Sequence, residues 1–123
     1  METIHSDNAP AALGPYSQAM RVRGLVYTSG QIGIDPAAGK ITGTNVKEQA
    51  ERVCKNLSAV LAAAGTDLTR VVKTTCFLAD MGDFAAFNEV YARYFTSKPA
   101  RSCVAAKELP AGALCEIEVI AEV

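Results

Sequence analysis

The feature of this sequence that most constrains its fold is an amphipathic helix predicted from Asn45 to Ala64. Asn45 is a suitable N-cap, Glu48 stands three residues later as in a capping box, and Gly65 is a typical residue to follow a helix. Apolar residues recur at steps of three and four and form one stripe: Val46, Ala50, Val53, Leu57, Val60 or Leu61, and Ala64. Such a stripe has to be buried against another layer, which the rest of the chain must supply.

The remaining segments predict strands and one further helix. Arg70 to Ala79 is rich in β-branched residues and predicts a strand. A second helix is predicted to begin at Asp83, as its cap, and to stop at Lys98-Pro99, because a residue before proline avoids the helical region. Glycines and prolines predict loops at residues 8–15 and 35–39 and a turn at 23–24. The other predicted strands are Thr3 to Ser6, Tyr16 to Val22, Leu25 to Ile34, Arg101 to Lys107 and Leu114 to Val123.

The resulting order is β-β-β-α-β-α-β-β within a single domain of residues 1–123. Each helix joins two strands, so both helices can cross over on the same side of one sheet. The sequence therefore predicts an α+β fold with a single mixed β-sheet and two helices packed on one face. No helix remains for the other face, and half of the residues are hydrophobic. We therefore expect a second copy of the chain to cover that face.

Charge and composition argue against several classes of partner. Twelve Lys and Arg residues against thirteen Asp and Glu residues give a net charge of −1, which offers no field for nucleic acid or an anionic membrane. No targeting segment or membrane-spanning run is visible, so we expect a cytoplasmic protein. The four cysteines lack metal-ligand spacing and are expected to be reduced, and His5 is the only histidine. The sequence thus predicts no metal site.

Two strands carry polar residues that could perform chemistry. Glu116 and Glu118 are predicted to share one face of the last strand, about 6.6 Å apart, although a solvated surface would explain them equally well. Arg101 and Cys103 share a face of the strand before it, and Pro99 restricts the chain just ahead of them. A fixed guanidinium suits a carboxylate ligand, but a surface arginine and a small buried cysteine fit the same pattern. The residues predicted to face the helices from the last strand are Cys115, Ile117, Val119 and Ala121.

Three further positions have a structural and a functional interpretation. Tyr16 follows a Gly-Pro turn and could simply anchor it. Gly30 lies inside a predicted strand, which marks either a bulge or a place where a ligand approaches the backbone. Asn88 lies in the middle of the second helix and is interpreted as a polar residue satisfied there. The aromatic residues of that helix are interpreted as core: Phe84, Phe87 and Tyr91.

These residues belong to longer segments that resemble the reactive intermediate deaminase family, also called the Rid or YjgF family. The resemblance runs nearly end to end. Its most specific parts are GPYSQA within residues 9–19, PAR within residues 99–104 and EIE within residues 109–121. The segments TSGQIGIDP at 28–36 and DFAAFNEVYARYF at 83–95 also resemble the family.

The resemblance implies a chorismate-mutase-like fold, with the last strand inserted between earlier ones, and a homotrimer with sites between subunits. It implies hydrolysis of 2-aminoacrylate-type enamines and 2-imino acids to 2-keto acids and ammonia, a reaction that requires no metal or organic cofactor. Carried over by matching motif, Arg101 would hold the substrate carboxylate and Glu116 would position or activate water. The residues implied to line the pocket are Tyr16, Ser29, Gly30 and Cys103.

One segment departs from the family pattern. The stretch from Phe95 to Pro99 is shorter than in many members, and Lys98 stands where an aromatic residue often precedes the proline. We expect this stretch to border the cleft, so that the preferred size of substrate depends on it.

Two other functions fit the same residues. A module that binds keto acids without catalysis would use the same Arg101 pocket. A protein-interaction or RNA-directed role is the second, although a ribonuclease usually needs pairs of histidines or lysines and RNA binding needs a basic stripe. The single His5 and the net charge of −1 argue against that role.

Overall fold

The predicted alternation of strands and helices is present in the computed structural model, which describes all 123 residues. The strands are β1 (Glu2–Ile4), β2 (Ala19–Val22), β3 (Leu25–Thr28), β4 (Ile34–Asp35), β5 (Lys40–Ile41), β6 (Val71–Leu78), β7 (Ala100–Ala105) and β8 (Cys115–Glu122). The helices are α1 (Val46–Ala63) and α2 (Phe84–Tyr94). Six strands form the main sheet in the order β1-β2-β3-β8-β6-β7, and β4 and β5 form a separate hairpin.

The last strand of the chain lies in the middle of the sheet. β8 pairs antiparallel with β3 on one side and with β6 on the other, while β7 lies parallel to β6 at the edge. The insertion of the last strand between earlier ones is therefore confirmed. Strands β3 and β6 consequently run parallel, and α1 joins them across the space that β8 fills.

Helix α1 begins and ends as its sequence predicts. The Asn45 side chain accepts a hydrogen bond of 2.9 Å from the backbone N–H of Glu48. The Glu48 carboxylate reaches back to the backbone N–H of Thr44, one residue earlier than in a standard capping box. Gly65 follows the helix with a φ of +85°, a conformation that glycine adopts without strain. Every residue of the predicted apolar stripe is buried, including both Val60 and Leu61.

The hydrophobic core lies between the helices and one face of the sheet. The four residues of β8 predicted to face the helices are at most 2% exposed: Cys115, Ile117, Val119 and Ala121. Phe87 and Val90 of α2 and Val53 and Leu57 of α1 belong to the same buried cluster. The predicted α+β fold, one main mixed sheet with both helices on one face, is confirmed.

Several predicted boundaries were wrong for local reasons. β2 begins at Ala19 rather than Tyr16, because the buried Gln18 side chain turns away to accept from the Ser6 N–H at 2.6 Å and donate to the Pro10 carbonyl at 2.8 Å. β3 ends at Thr28 rather than Ile34. Beyond it the chain leaves the sheet to form the β4–β5 hairpin, where the sequence predicts only the end of a strand at Ile34 and a loop over residues 35–39.

The start of α2 also differs from the prediction. Asp83 stands at the N-cap position, but its side chain makes no cap hydrogen bond. Instead, Asp80 accepts from the Gly82 N–H at 2.7 Å and opens a short 3₁₀ turn that leads into the helix. A carboxylate three residues earlier therefore performs the role that the sequence assigns to Asp83.

The face of the sheet opposite the helices is uncovered within one chain. Tyr27 is 43% exposed and Val104 is 49% exposed there, and Phe77, Glu118 and Ile120 lie between them half-buried. All four cysteines are free thiols. None of the helices combines the length and the apolar character that crossing a membrane requires.

Candidate functional site

The guanidinium of Arg101 is held in one position by helix α2. Its Nη1 donates a hydrogen bond of 2.7 Å to the Asn88 side-chain oxygen. Its Cζ lies 4.7 Å from the ring centre of Tyr91 and 5.4 Å from that of Phe84, within the range of cation–π attraction. Phe84, Asn88 and Tyr91 are spaced four and three residues apart, so they lie on one face of the helix. Three side chains of α2 therefore orient one side chain of β7.

The ring of Tyr91 is itself fixed to the sheet. Its hydroxyl forms a hydrogen bond of 2.8 Å with the hydroxyl of Thr74, a fully buried residue that lies beside Arg101 in the β6–β7 register. Burial raises the pKa of the Tyr91 phenol, so the hydroxyl stays neutral. Strand and helix thus hold the guanidinium from two sides.

Arg101 is a charged group without a charged partner. It is half-buried, yet the three ion pairs of the chain lie elsewhere, on His5, Lys47 and Arg93. The guanidinium opens into a cleft of about 350 Å³ between α2 and the segment that precedes β7. A half-buried cation with most of its donors free is well suited to bind an anion.

Cys103 lies two residues beyond Arg101 on the same face of β7, as predicted from alternation, and beside the buried Cys76 of β6. Burial raises the pKa of the Cys103 thiol, an effect that the nearby Arg101 charge partly opposes. Burial also raises the pKa of Cys76 to about 12. Both thiols are therefore protonated near neutral pH, and Cys103 is not an activated nucleophile.

Glu116 forms the centre of a second cleft. The carboxylate lies on the uncovered face of β8 and lines a space of about 150 Å³ together with Tyr16 and Gly30. It takes part in no hydrogen bond or ion pair within the chain. Burial, and after it the negative charge of Glu118, raise the pKa of the Glu116 carboxyl above its ordinary value of 4.5. A carboxylate in this environment accepts a proton more readily than one in water.

The Glu116 carboxylate lies so close to the backbone of residue 30 that only glycine fits there without a shift. A Cβ atom at position 30 would lie far inside contact distance of Glu116 Oε2. The approach follows from a single bridge in which Gln31 and Ile117 exchange backbone hydrogen bonds of 2.9 and 3.1 Å. Of the two interpretations of Gly30, the structure shows a close approach to the backbone, by a side chain of the same protein.

The remaining predicted residues lie around this second cleft. Tyr16 is 55% exposed, so its ring is available to a ligand or to another chain. Ser29 precedes Gly30, and its hydroxyl donates to the Ser17 carbonyl at 2.6 Å while its N–H donates to the Gln18 carbonyl at 2.9 Å. Ser29 thereby fixes the backbone on which Gly30 stands.

The structure does not bring the two halves of the site together within one chain. Arg101 lies on the helix-covered side of the sheet, in a row with Thr74 and Val119. Glu116 lies on the opposite side, in a row with Phe77. The two residues are also two strands apart, about 10 Å in the sheet. One chain therefore presents a cation cleft and a carboxylate cleft that face different directions.

Asn88 and Tyr91 were missed as site residues by the sequence analysis. Asn88 was interpreted as a polar residue satisfied within the helix, but its partner is Arg101 of β7. Tyr91 was interpreted as core, and it is also the ring on which the guanidinium lies. The sequence shows that both residues share one face of α2 with Phe84. It does not show that this face of the helix packs against β7.

Comparison with known proteins places these residues in a family. The model of the family described as Endoribonuclease L-PSP matches residues 6–123. The chain is 49% identical to the 2-iminobutanoate/2-iminopropanoate deaminase of Mus musculus, over 98% of this chain and 90% of that protein. It superposes on RidA of an Antarctic Psychrobacter with a TM-score of 0.95 and 44% identity, covering both chains entirely. E. coli TdcF with bound serine gives a TM-score of 0.95 at 38% identity, again over the whole of both chains.

Replacing Gly30 with alanine is expected to move the Glu116 carboxylate. The atoms that a new Cβ would meet belong to the flexible end of Glu116, so the side chain should rotate while the fold survives. We expect the free energy of unfolding to fall by no more than about 1.5 kcal/mol, the cost of an unfavourable rotamer. A crystal structure of Gly30→Ala checks the displacement, and Gly30→Ala combined with Glu116→Ala should recover the stability of Glu116→Ala alone. An unmoved carboxylate would contradict the assignment.

The titration of Glu116 is expected to depend on Glu118. Because the charge of Glu118 raises the pKa of Glu116, Glu118→Gln should lower that pKa. The midpoint of the Glu116 carboxyl, followed by ¹³C NMR, should lie above 4.5 in the unmodified chain and move toward lower pH in the variant. Glu122→Gln, on the same face of β8 but farther away, is the matched control and should leave the midpoint unchanged. A midpoint that rises in Glu118→Gln would refute the stated cause.

Proposed function

Since this chain belongs to the endoribonuclease L-PSP family, which includes deaminases of 2-imino acids, we propose that it hydrolyses reactive enamines and 2-imino acids to 2-keto acids and ammonia. The substrates we propose are 2-aminoacrylate-type enamines and their 2-imino acid tautomers. The observation that carries the proposal is the state of Arg101, a half-buried guanidinium fixed by Asn88 and Tyr91 and left without a carboxylate of its own. The substrate carboxylate would supply the missing partner.

Binding of the substrate is assigned to the Arg101 cleft. A planar guanidinium can donate two parallel hydrogen bonds to a carboxylate, and each charge-assisted bond contributes roughly 1.5–3 kcal/mol. Because Asn88 and Tyr91 already hold the group in place, little side-chain entropy is lost when the anion binds. This arrangement favours imines that carry a carboxylate over neutral imines. Cys103, beside Arg101 on the same face, would form one wall of the pocket.

Hydrolysis is assigned to Glu116. Its carboxylate would take a proton from water as the water oxygen bonds to the C=N carbon and the electron pair of the C=N π bond moves to nitrogen. The same carboxyl would give that proton to the nitrogen, which completes a carbinolamine. It would then take the hydroxyl proton as the C=O bond forms and pass it to the nitrogen as the C–N bond breaks, leaving the 2-keto acid and ammonia. Acid–base assistance of this kind is typically worth about 10²–10⁴ in rate. The raised pKa of Glu116 suits both directions of the transfer. Tyr16, Ser29 and Gly30 would shape the space around the attacking water.

We propose that the complete site forms between two chains of a homo-oligomer, a homotrimer as the family resemblance implies. Arg101 and Glu116 face opposite sides of the sheet, so one chain cannot present both to one small molecule. Arg101 stands on β7, the edge strand, where a neighbouring chain can reach it. The uncovered face around Glu116 carries exposed Tyr27 and Val104, which another copy would bury. The Arg101 cleft of one chain would then meet the Glu116 cleft of the next.

The reaction is tested with 2-iminobutyrate generated by a coupled amino-acid-consuming enzyme, while release of 2-oxobutyrate is followed. We expect the protein to exceed the spontaneous rate, and Arg101→Ala to lose roughly 10- to 150-fold in kcat/KM for each hydrogen bond removed. Arg70→Ala, an exposed arginine outside both clefts, is the matched control and should retain full activity. Binding of 2-oxobutyrate without any acceleration would instead favour a keto-acid-binding module. Full activity of Arg101→Ala would reject the site.

The shared site is tested by mixing two inactive variants. Arg101→Ala and Glu116→Ala chains are unfolded together, refolded in equal amounts and assayed. In a cyclic oligomer, about one quarter of the sites then combine an intact Arg101 with an intact Glu116 from the neighbouring chain. Activity should return to about that fraction of the unmodified protein, whereas each variant refolded alone stays inactive. A mixture that remains inactive although mass spectrometry detects hybrid oligomers would show that both residues act within one chain.

A further inference from the structure

We infer that Lys98 is a specificity-determining residue that binds a second carboxylate, so that the preferred substrates are 2-imino dicarboxylic acids of four or five carbons. The inference rests on the proposed function, because it concerns the same cleft and the same reaction. Its product would be a 2-keto dicarboxylate, released together with ammonia. The argument depends on where Lys98 lies, how its backbone is held and which charges surround it.

Lys98 and Arg101 line one cleft. Both border the space of about 350 Å³ between α2 and the start of β7, together with the amide of Asn88 and the ring of Tyr91. Only two residues lie between Lys98 and Arg101, so their Cα atoms lie at most about 10 Å apart. The lysine side chain can bend over much of that distance, so its ammonium can reach the far end of a short dicarboxylate bound at Arg101.

The backbone holds Lys98 in an unusual conformation. Its φ is +54°, in the left-handed region where residues with a side chain are rare and where glycine or asparagine would be less strained. Such a conformation costs of order 1–3 kcal/mol. The Lys98 N–H donates to the Phe95 carbonyl at 3.2 Å, and Pro99 restricts the chain immediately after it. The turn therefore fixes the point from which the lysine side chain enters the cleft.

Within one chain, the charges that line this cleft are all positive. Lys98 is exposed and takes part in none of the three ion pairs of the chain. No aspartate or glutamate lines the cleft. Lys98 and Arg101 repel each other, and a ligand with two negative groups removes that repulsion while a monocarboxylate neutralises only one of them. The Glu116 carboxylate of the neighbouring chain is assigned to the water that attacks the C=N carbon, so it does not replace the second negative group of the ligand. A substrate with a cationic side chain would meet repulsion instead.

The experiment compares two imines that differ mainly in the second charge. 2-Iminoglutarate and 2-iminohexanoate, generated from glutamate and norleucine by amino-acid oxidases, have chains of similar length. We expect the unmodified protein to hydrolyse the dicarboxylate with a higher kcat/KM, and Lys98→Met to lose about fivefold on it, chiefly through KM, as for one exposed ion pair. The same variant should act on 2-iminohexanoate as the unmodified protein does. Lys98→Glu should lose more of the kcat/KM on the dicarboxylate. Added salt should reduce the ratio of kcat/KM on 2-iminoglutarate to kcat/KM on 2-iminohexanoate in the unmodified protein.

Lys55→Met is the matched control, because Lys55 is an exposed lysine of α1 that does not border this cleft. It should leave both rates unchanged. Equal losses on both substrates, or no loss on either, would overturn the inference while leaving the proposed function intact. If the unmodified protein accelerates neither of these hydrolyses nor that of 2-iminobutyrate, the proposed function fails. The affinities for 2-oxoglutarate and 2-oxohexanoate, measured by calorimetry, then test the role of Lys98. Tighter binding of 2-oxoglutarate by the unmodified protein, lost in Lys98→Met, supports that role. Equal affinities of the unmodified protein for the two keto acids reject it.

Discussion

The organisation of this protein depends on the hydrogen bonds that hold β8 between β3 and β6. A central strand has no free edge, so its register is fixed on both sides and each side chain has one possible direction. The four inward residues of β8 complete the core beneath α1 and α2. The same alternation places Glu116 and Glu118 on the uncovered face, where the helices do not shield them. The separation of the carboxylate cleft from the cation cleft follows from this one strand.

Under the proposed function, each cleft supplies one part of the reaction. Helix α2 and buried Thr74 hold the guanidinium of Arg101 rigid, which favours recognition of a planar anion. Burial and a like charge make Glu116 a better proton acceptor than an ordinary glutamate, and Gly30 gives it room. Neither cleft alone offers both an anion clamp and a base. Two chains that face each other would offer both, which is why the proposed function and the proposed assembly support one another.

The sequence predicted the fold well where a pattern repeats over many residues. The stripe of α1, with a cap at each end, extends over about five helical turns, and the alternation of β8 extends over eight strand positions. No other regular structure fits either pattern. Short segments were predicted less well. The Gln18 side chain binds the backbone of Ser6, and the Asp80 side chain binds the backbone N–H of Gly82. Neither contact belongs to a repeating pattern, so the predicted start of β2 and the predicted cap of α2 were wrong.

The site was predictable only in part for a similar reason. Alternation placed Arg101 with Cys103 and Glu116 with Glu118, since strand neighbours follow from period two. That Asn88 meets Arg101 depends on how α2 packs over β7, which no local pattern contains. That Arg101 and Glu116 lie on opposite faces depends on the register of three strands, β7, β6 and β8, and this becomes visible only when the sheet is assembled.

The placement of Arg101 and Glu116 on opposite faces also has a consequence for dilute protein. Under the proposed function, a newly synthesised chain is inert although it carries every catalytic group, and it becomes competent only after meeting its copies. The rate of hydrolysis per chain would then fall steeply once the protein concentration drops below the dissociation constant of the oligomer. Dissociation of the oligomer removes whole sites and does not merely weaken each one. The reaction would thus require a minimum concentration of the protein.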